Sequence, residues 1–184
     1  MVIEIALELF PAGDRRLTVA DVCTGCGCIA VALAHERTAA HVLATDISEA
    51  AVQIARRNVV SHGVADRVRV AQADLLVGIG GPFDLIVANP PYIREQERTL
   101  LQREVREHEP SLALFGGPKG MDLIERLVAQ AAPRLNPDGY LIFEFAFGQD
   151  VEIEEAIAGV PALRLLDFRR DLQGIARTAI ARRV

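Results

Sequence analysis

Residues 87–93 read Val-Ala-Asn-Pro-Pro-Tyr-Ile, a stiff polar tetrapeptide set directly behind an apolar run. Neither folding nor solubility calls for that order, but one kind of chemistry does. An amide or amino nitrogen conjugated to a π system is a poor nucleophile, because its lone pair is delocalised. A protein helps by accepting hydrogen bonds from its two N–H groups, which orients the nitrogen and raises its electron density. Asn89 offers a side-chain oxygen, and Pro90 a backbone carbonyl without a competing N–H. Pro91 stiffens the turn and drives Pro90 toward an extended conformation. Tyr92 offers an aromatic face for a flat amide or base. Such a cradle suits delivery of a methyl group in line with the nitrogen, the reacting atoms held at about 3–3.5 Å. Asn89, Pro90 and Tyr92 are the candidate catalytic residues, and with Pro91 they form the candidate substrate cradle. The plainer alternative is a proline turn ending a strand, with Tyr92 in the core. It accounts for Asn-Pro but not for the whole tetrapeptide behind a glycine loop.

That loop is DVCTGCGCIA, residues 21–30. Gly25, Gly27 and Ala30 follow an apolar run and open a helical one, where glycines let the backbone turn tightly and approach a ligand. Asp46 ends the next apolar run, about twenty residues on, where a carboxylate can accept from both hydroxyls of a ribose. The same pattern fits a nicotinamide cofactor, and a tight turn without a ligand also produces it. Asp74, after the third run, shifts the weight toward a ligand by offering its carboxylate or nearby amides to an adenine, with Leu75 packing on the ring. Taken alone, Asp74 also suits a cap and Leu75 also suits a core. Cys23, Cys26 and Cys28 have no second pair and no paired histidines, so no metal is expected; small side chains beside a cofactor are the simpler reading.

These residues need a frame that brings several loops to one edge. Apolar runs at 16–22, 41–46, 67–73, 83–89, 140–146 and 162–168 alternate with helical patterns at about 28–37, 48–61, 94–106, 119–135 and 149–158. A last run, 174–182, is expected as an edge strand. Alternation predicts an α/β fold with a parallel sheet covered on both faces. Residues 169–173 join the last two runs without a helix, so the last strand is expected to be antiparallel. Seven strands with the last reversed is the Rossmann-like architecture of class I S-adenosylmethionine-dependent methyltransferases. Ligands in such sheets lie beyond the carboxyl ends of the strands.

The chain has 184 residues, of which 51% are hydrophobic, enough for one domain with a core. Val2, Ile5, Ala6 and Leu9 recur at helical spacing behind no basic leader, so residues 2–10 read as an amphipathic helix rather than a signal peptide. A membrane role is not expected. The formal net charge of −5 argues against broad nucleic-acid binding. Arginines at 94, 98, 103 and 106 alternate with glutamates at 95, 97, 104 and 107, which reads as a solvated helix face. Three cysteines without a secretory signal point to a reducing cytoplasm.

At larger scale the sequence resembles the peptide chain release factor glutamine methyltransferases. The resemblance is carried by DVCTGCGCIAVALA, ATDIS, FDLIVANPPYI, REVREHEPSLALFGGPKGMDLIERL, LNPDGYLIFEFAFGQ and RRDLQGIAR. The tetrapeptide is shared with adenine methylases of DNA and RNA. Residues 108–120, Glu144 with Gln149, and Asp171 with Gly174 and Arg177 are more specific to the glutamine enzymes. The resemblance implies S-adenosyl-L-methionine as cofactor, held by Cys23, Thr24, Gly25, Cys26, Gly27, Asp46, Asp74, Leu75 and Asn89. It implies a protein substrate, the glutamine of a Gly-Gly-Gln loop in a release factor, methylated on its side-chain nitrogen and held by residues 89–92. Glu144 and Arg177 are given structural roles. Cys23 stands where glycine is commoner in the family, Cys26 where serine or threonine is, and Leu75 where some members carry tryptophan. The expected organisation is a single catalytic domain over 1–184, with 1–12 the remnant of a helix leading to a helical N-terminal domain. A monomer is expected, acting on protein rather than DNA. The alternatives are a ribosomal-protein glutamine methyltransferase, an adenine methylase, a cofactor-binding module without catalysis, and a nicotinamide dehydrogenase.

Overall fold

The aliphatic runs become strands and the periodic segments helices in the computed structural model, which describes all 184 residues. The elements are α1 (Val2–Leu9), β1 (Leu17–Val22), α2 (Cys28–Glu36), β2 (Ala40–Asp46), α3 (Glu49–Ser61), β3 (Val68–Gln72), β4 (Phe83–Ala88), α4 (Arg103–His108), α5 (Ser111–Leu114), α6 (Asp122–Ala131), β5 (Leu135–Glu144), α7 (Asp150–Ala158), β6 (Leu163–Arg170) and β7 (Ala176–Arg183). One seven-stranded sheet has the order β3-β2-β1-β4-β5-β7-β6. The strands β1 to β5 are parallel, and β7 is antiparallel to both β5 and β6. This is the Rossmann-like class I methyltransferase arrangement, with its last strand reversed.

Three expectations are corrected. The strand β7 is not at an edge: it is inserted between β5 and β6, and its residues 178–181 are buried. The edge is β6, where exposed Arg164, Asp167 and Arg170 suit a strand facing water. The helix expected over 94–106 is broken into a 3-10 segment, Glu95–Leu100, and the short α4, with no buried residue in either. Its alternating charges have no apolar stripe to pack against the sheet. The helix expected over 119–135 is shorter. Gly120, at φ +72°, holds its start to Asp122, and Pro133 tightens its end into a 3-10 turn.

Helices on both faces bury the parallel strands twice, so all six residues of β4 are buried, Asp84 among them. On one face Ile124, Leu127, Val128 and Ala131 of α6 form an i, i+3, i+4, i+7 stripe against Ile86, Leu141 and Phe143. On the other, α1, α2 and α3 cover Val19, Leu85, Val87 and Ile142. Each fully buried Leu or Ile contributes about 1.5–3 kcal/mol. Asp84 ties β1 to β4 at their amino ends. Its Oδ2 accepts from the Thr18 amide and hydroxyl, both at 2.8 Å, and its Oδ1 from Arg15 at 2.9 Å and Asn136 at 3.0 Å. Burial pushes that carboxyl up, but these hydrogen bonds and the Arg15 charge outweigh it and hold it below the usual range. The strand order reverses between β1 and β4, which makes the carboxyl ends of these two strands the place for a ligand crevice. No helix is long and apolar enough to cross a membrane.

Candidate active site

Strand register brings the singled-out residues into one row. Val22 pairs with both Thr45 and Ala88, and Ala88 with Phe143. The next residue on each strand is therefore Asp46, Cys23, Asn89 and Glu144, side by side at the carboxyl edge.

The glycine loop leaves β1 through Cys23, which is left-handed at φ +58°. A non-glycine residue there is strained by about 1–2 kcal/mol, which gives a physical reason for the commoner glycine. Gly25 is left-handed, and a Cβ there would meet nothing within 4 Å, so the backbone lies open to a ligand. Gly27 is the reverse: a Cβ would stand 3.1 Å from that of Ala55, so its bareness lets α2 start tight against α3. The loop is braced from beneath. Asn58 Nδ2 donates to Cys26 O at 2.8 Å, and the Gly25 amide donates to Asp46 Oδ2 at 2.8 Å. The other Asp46 oxygen accepts from Ser48 N at 2.9 Å. Thr24 is buried and its hydroxyl donates to Asp21 Oδ2 at 2.5 Å, so it braces the loop from inside. Asp74 is half-exposed and pairs with Arg126 at 2.6 Å. Leu75 is left-handed at φ +53° and 4% exposed, packed with the core beneath the crevice.

Asp21 escaped the sequence reading, although a carboxylate inside the apolar run Thr-Val-Ala-Asp-Val is itself a signal. It is fully buried; Oδ2 accepts from Thr24 and from Ala30 N at 3.0 Å, and Oδ1 has no partner. Burial pushes its carboxyl up to about 7, against the lowering effect of the Thr24 and Ala30 bonds, with the Asp46 charge adding to the rise. Burial likewise pushes the Cys23 thiol up to about 12, helped by the charges of Asp46, Asp21 and Asp74. Asp46 and the Arg126-paired Asp74 thus border the crevice, over the buried Asp21 and beside an un-ionised thiol. No group of three or more His, Cys, Asp and Glu side chains is placed to hold a metal ion.

A folded-state value above the unfolded 3.8 has a defined consequence for stability. The contribution of Asp21 is fully present below about pH 4 and is lost as pH rises through about 7. Asp21→Asn is therefore expected to gain on the wild type as pH rises from 5 to 8. Urea unfolding midpoints of both proteins at the two pH values check this; a constant difference would show that the buried carboxyl ionises without penalty.

Asn89 is exposed at the end of the fully buried β4, while Pro90 and Pro91 are buried and Tyr92 is half-buried against the core. Burial, and then the charge of Glu144, raises the Tyr92 phenol. Burial also raises Glu144, which Arg177 partly offsets. The backbone beyond Pro90 is already engaged. Ile93 bridges to Phe115, and Gly116 N donates to Ile93 O at 3.1 Å. Tyr92 O accepts from Gln149 Nε2 at 3.1 Å, a contact across 57 residues that no local pattern announces. The exposed Asn89 is the residue of this turn that stands in the crevice row. At the rim, the β6–β7 turn is held by Asp171, whose Oδ1 accepts from Gln173 N at 2.9 Å and Ile175 N at 3.0 Å and whose Oδ2 faces Arg177 Nε at 3.3 Å. Leu172 at its tip is fully exposed.

Comparison with known proteins accords with this layout. The chain is 43% identical to a release factor glutamine methyltransferase of Bradyrhizobium diazoefficiens over its whole length and 62% of that protein. It is 40% identical to a ribosomal protein uL3 glutamine methyltransferase of Neisseria meningitidis serogroup A over 77% of the chain and 46% of that protein. The chain thus spans less than two thirds of the length of these curated relatives. A solved ribosomal protein methylase from Lactobacillus delbrueckii subsp. bulgaricus superposes with a TM-score of 0.73 at 27% identity, covering 100% of this chain and 78% of that one. The family model for the methyltransferase small domain matches residues 4–152, taking in the glycine loop, the acidic strand ends and the Asn-Pro-Pro-Tyr turn, and this chain belongs to that family.

Proposed function

We propose that this chain is a catalytic domain that transfers a methyl group from S-adenosyl-L-methionine to a glutamine side-chain nitrogen, that of the Gly-Gly-Gln loop of peptide chain release factors. The carrying observation is the strand-end row: the exposed Asn89 carboxamide stands next to the glycine loop at the point where strand order reverses. The open backbone at Gly25 fits a close-lying cofactor. In this reading Cys23, Thr24, Gly25, Cys26 and Gly27 shape the cofactor cradle. Asp46 takes the ribose hydroxyls, and Asp74 and Leu75 border the adenine. The bound cofactor supplies an electrophilic methyl on a sulfonium. Asn89 and Pro90 accept from the substrate amide N–H groups, Tyr92 flanks its plane, and the buried prolines keep water from the reacting nitrogen.

The substrate class follows the names of the relatives. The charged segment after the cradle supports protein over DNA as substrate: Arg103 pairs with Glu107 at 2.9 Å, Arg94 with Glu97 at 3.7 Å, and Arg98 lies over the Phe115 ring at 4.1 Å, so these three arginines are not a free basic surface. The three free cysteines accord with a reducing compartment such as the cytoplasm. The likeness to the uL3 enzymes supports a second protein substrate. Incubation with methyl-labelled cofactor and, separately, release factor, uL3 and RNA, followed by peptide mass spectrometry, decides among them. Label on the Gly-Gly-Gln glutamine is the expected result; label on uL3 or RNA alone would replace this reading.

A further inference from the structure

Gln149 is fully buried at the start of α7, and nothing in the cradle chemistry requires it. Its carboxamide nevertheless joins three loops. Oε1 accepts from Ala146 N at 2.8 Å, and Nε2 donates to Tyr92 O at 3.1 Å and to Lys119 O at 3.2 Å. Both amide hydrogens are thereby spent on backbone carbonyls 57 and 30 residues away. A buried amide is costly unless its donors and acceptor are paired, and an apolar residue of the same volume would leave two carbonyls orphaned.

The glycine stretch 116–120 is shaped to the same contact. A Cβ on Gly120 would lie 2.2 Å from Tyr92 O and 2.6 Å from Gln149 Nε2; one on Gly116 would lie 2.5 Å from Pro91 O. Bare backbone at these two positions lets the loop press directly on the carbonyls of the cradle. Ile93 N to Leu114 O at 2.9 Å and Gly116 N to Ile93 O at 3.1 Å close the other side. The peptide plane after Tyr92 is thus fixed from two directions, and the two prolines before it transmit that orientation to the Pro90 carbonyl and Asn89.

We propose that Gln149 is a positioning residue for methyl transfer: by donating both amide hydrogens it clamps the 116–120 loop onto the Asn-Pro-Pro-Tyr turn and sets the direction of the substrate acceptors. This rests on the reading of that turn as the amide cradle. The glycine loop, Asp21 and Asp46 lie outside the clamp, so cofactor affinity and acceptor geometry separate. Gln149→Glu nearly preserves shape and can still accept from Ala146. Its carboxylate, however, faces two carbonyls with nothing to donate; once protonated, it donates to one of them.

The test compares wild type, Gln149→Glu and Gln149→Leu on release factor between pH 6 and 8, with S-adenosylhomocysteine affinity measured alongside. Expected is a fall in kcat of roughly 30- to 100-fold for both variants at pH 8, with cofactor-product affinity within about two-fold of wild type. The Gln149→Glu deficit relative to wild type shrinks several-fold toward pH 6, and the Gln149→Leu deficit does not. A kcat within about three-fold of wild type at pH 8, a parallel fall in cofactor affinity, or identical pH profiles for the two variants would overturn the proposal. If the wild-type chain methylates nothing, the functional reading has failed, and amide exchange judges the clamp separately. Faster exchange at Ile93 and Gly116 in both variants, with β4 unchanged, supports it; unchanged exchange overturns it.

Discussion

Asn89→Ala is expected to lower turnover by roughly two to three orders of magnitude and to leave S-adenosyl-L-methionine affinity within a few-fold. The side chain is exposed beyond a strand whose six residues are all buried, so its loss opens no cavity and the fold stands. What disappears is an acceptor that holds one amide N–H at the moment its nitrogen attacks. An interaction made to the reacting group lowers kcat more than it raises KM when it is removed. Single-turnover methylation of release factor and calorimetric titration of the cofactor measure the two quantities. Methyl transfer within ten-fold of wild type would refute the role of Asn89; equal losses of turnover and cofactor affinity would make it a cofactor residue instead.

Gly120→Ala is expected to damage stability and activity together. The position is left-handed at φ +72°, where a Cβ adds about 1–2 kcal/mol of strain. That Cβ would also stand 2.2 Å from the Tyr92 carbonyl oxygen, a backbone atom that cannot swing aside. The loop must retreat, which breaks the clamp at Gln149, and a total loss of about 2–4 kcal/mol is expected. Gly63→Ala is the control. It shares the left-handed backbone, at φ +68°, but a Cβ there meets nothing within 4 Å, so the strain stands alone. Urea unfolding of both variants checks the difference, and equal destabilisation would show that the close approach of Gly120 carries no energetic weight.

Local features of this protein were legible in the sequence, and features made by distant contacts were not. The strand–helix alternation and the glycine loop depend on neighbours a few residues apart, and they stand where the spacing predicts. The Asn-Pro-Pro-Tyr turn sits at the end of its strand for the same reason. The placement of β7 was not legible, because Thr-Ala-Ile-Ala at 178–181 suits an edge or an interior strand equally until the exposed charges of β6 claim the edge. The segment 94–108 misled because alternating Arg and Glu satisfy helix propensity without saying what the helix packs on. Spacing from Gly25 put Asp46 at a strand end, and it stands there. Asp21 was overlooked because its function is to be buried under the loop it supports. Gln149 had no local signal for its contacts, since its partners lie 57 and 30 residues away.

The β6–β7 turn at 171–174 stands at the carboxyl edge of the sheet, and its conformation is settled by its own Asp171 and by the two strands that grip each other behind it. Length can therefore be added or removed at Leu172 without reopening the core. Under the proposed function this turn is a graft point, whose remodelling alters what docks beside the strand ends and leaves the glycine loop and the Asn-Pro-Pro-Tyr turn untouched.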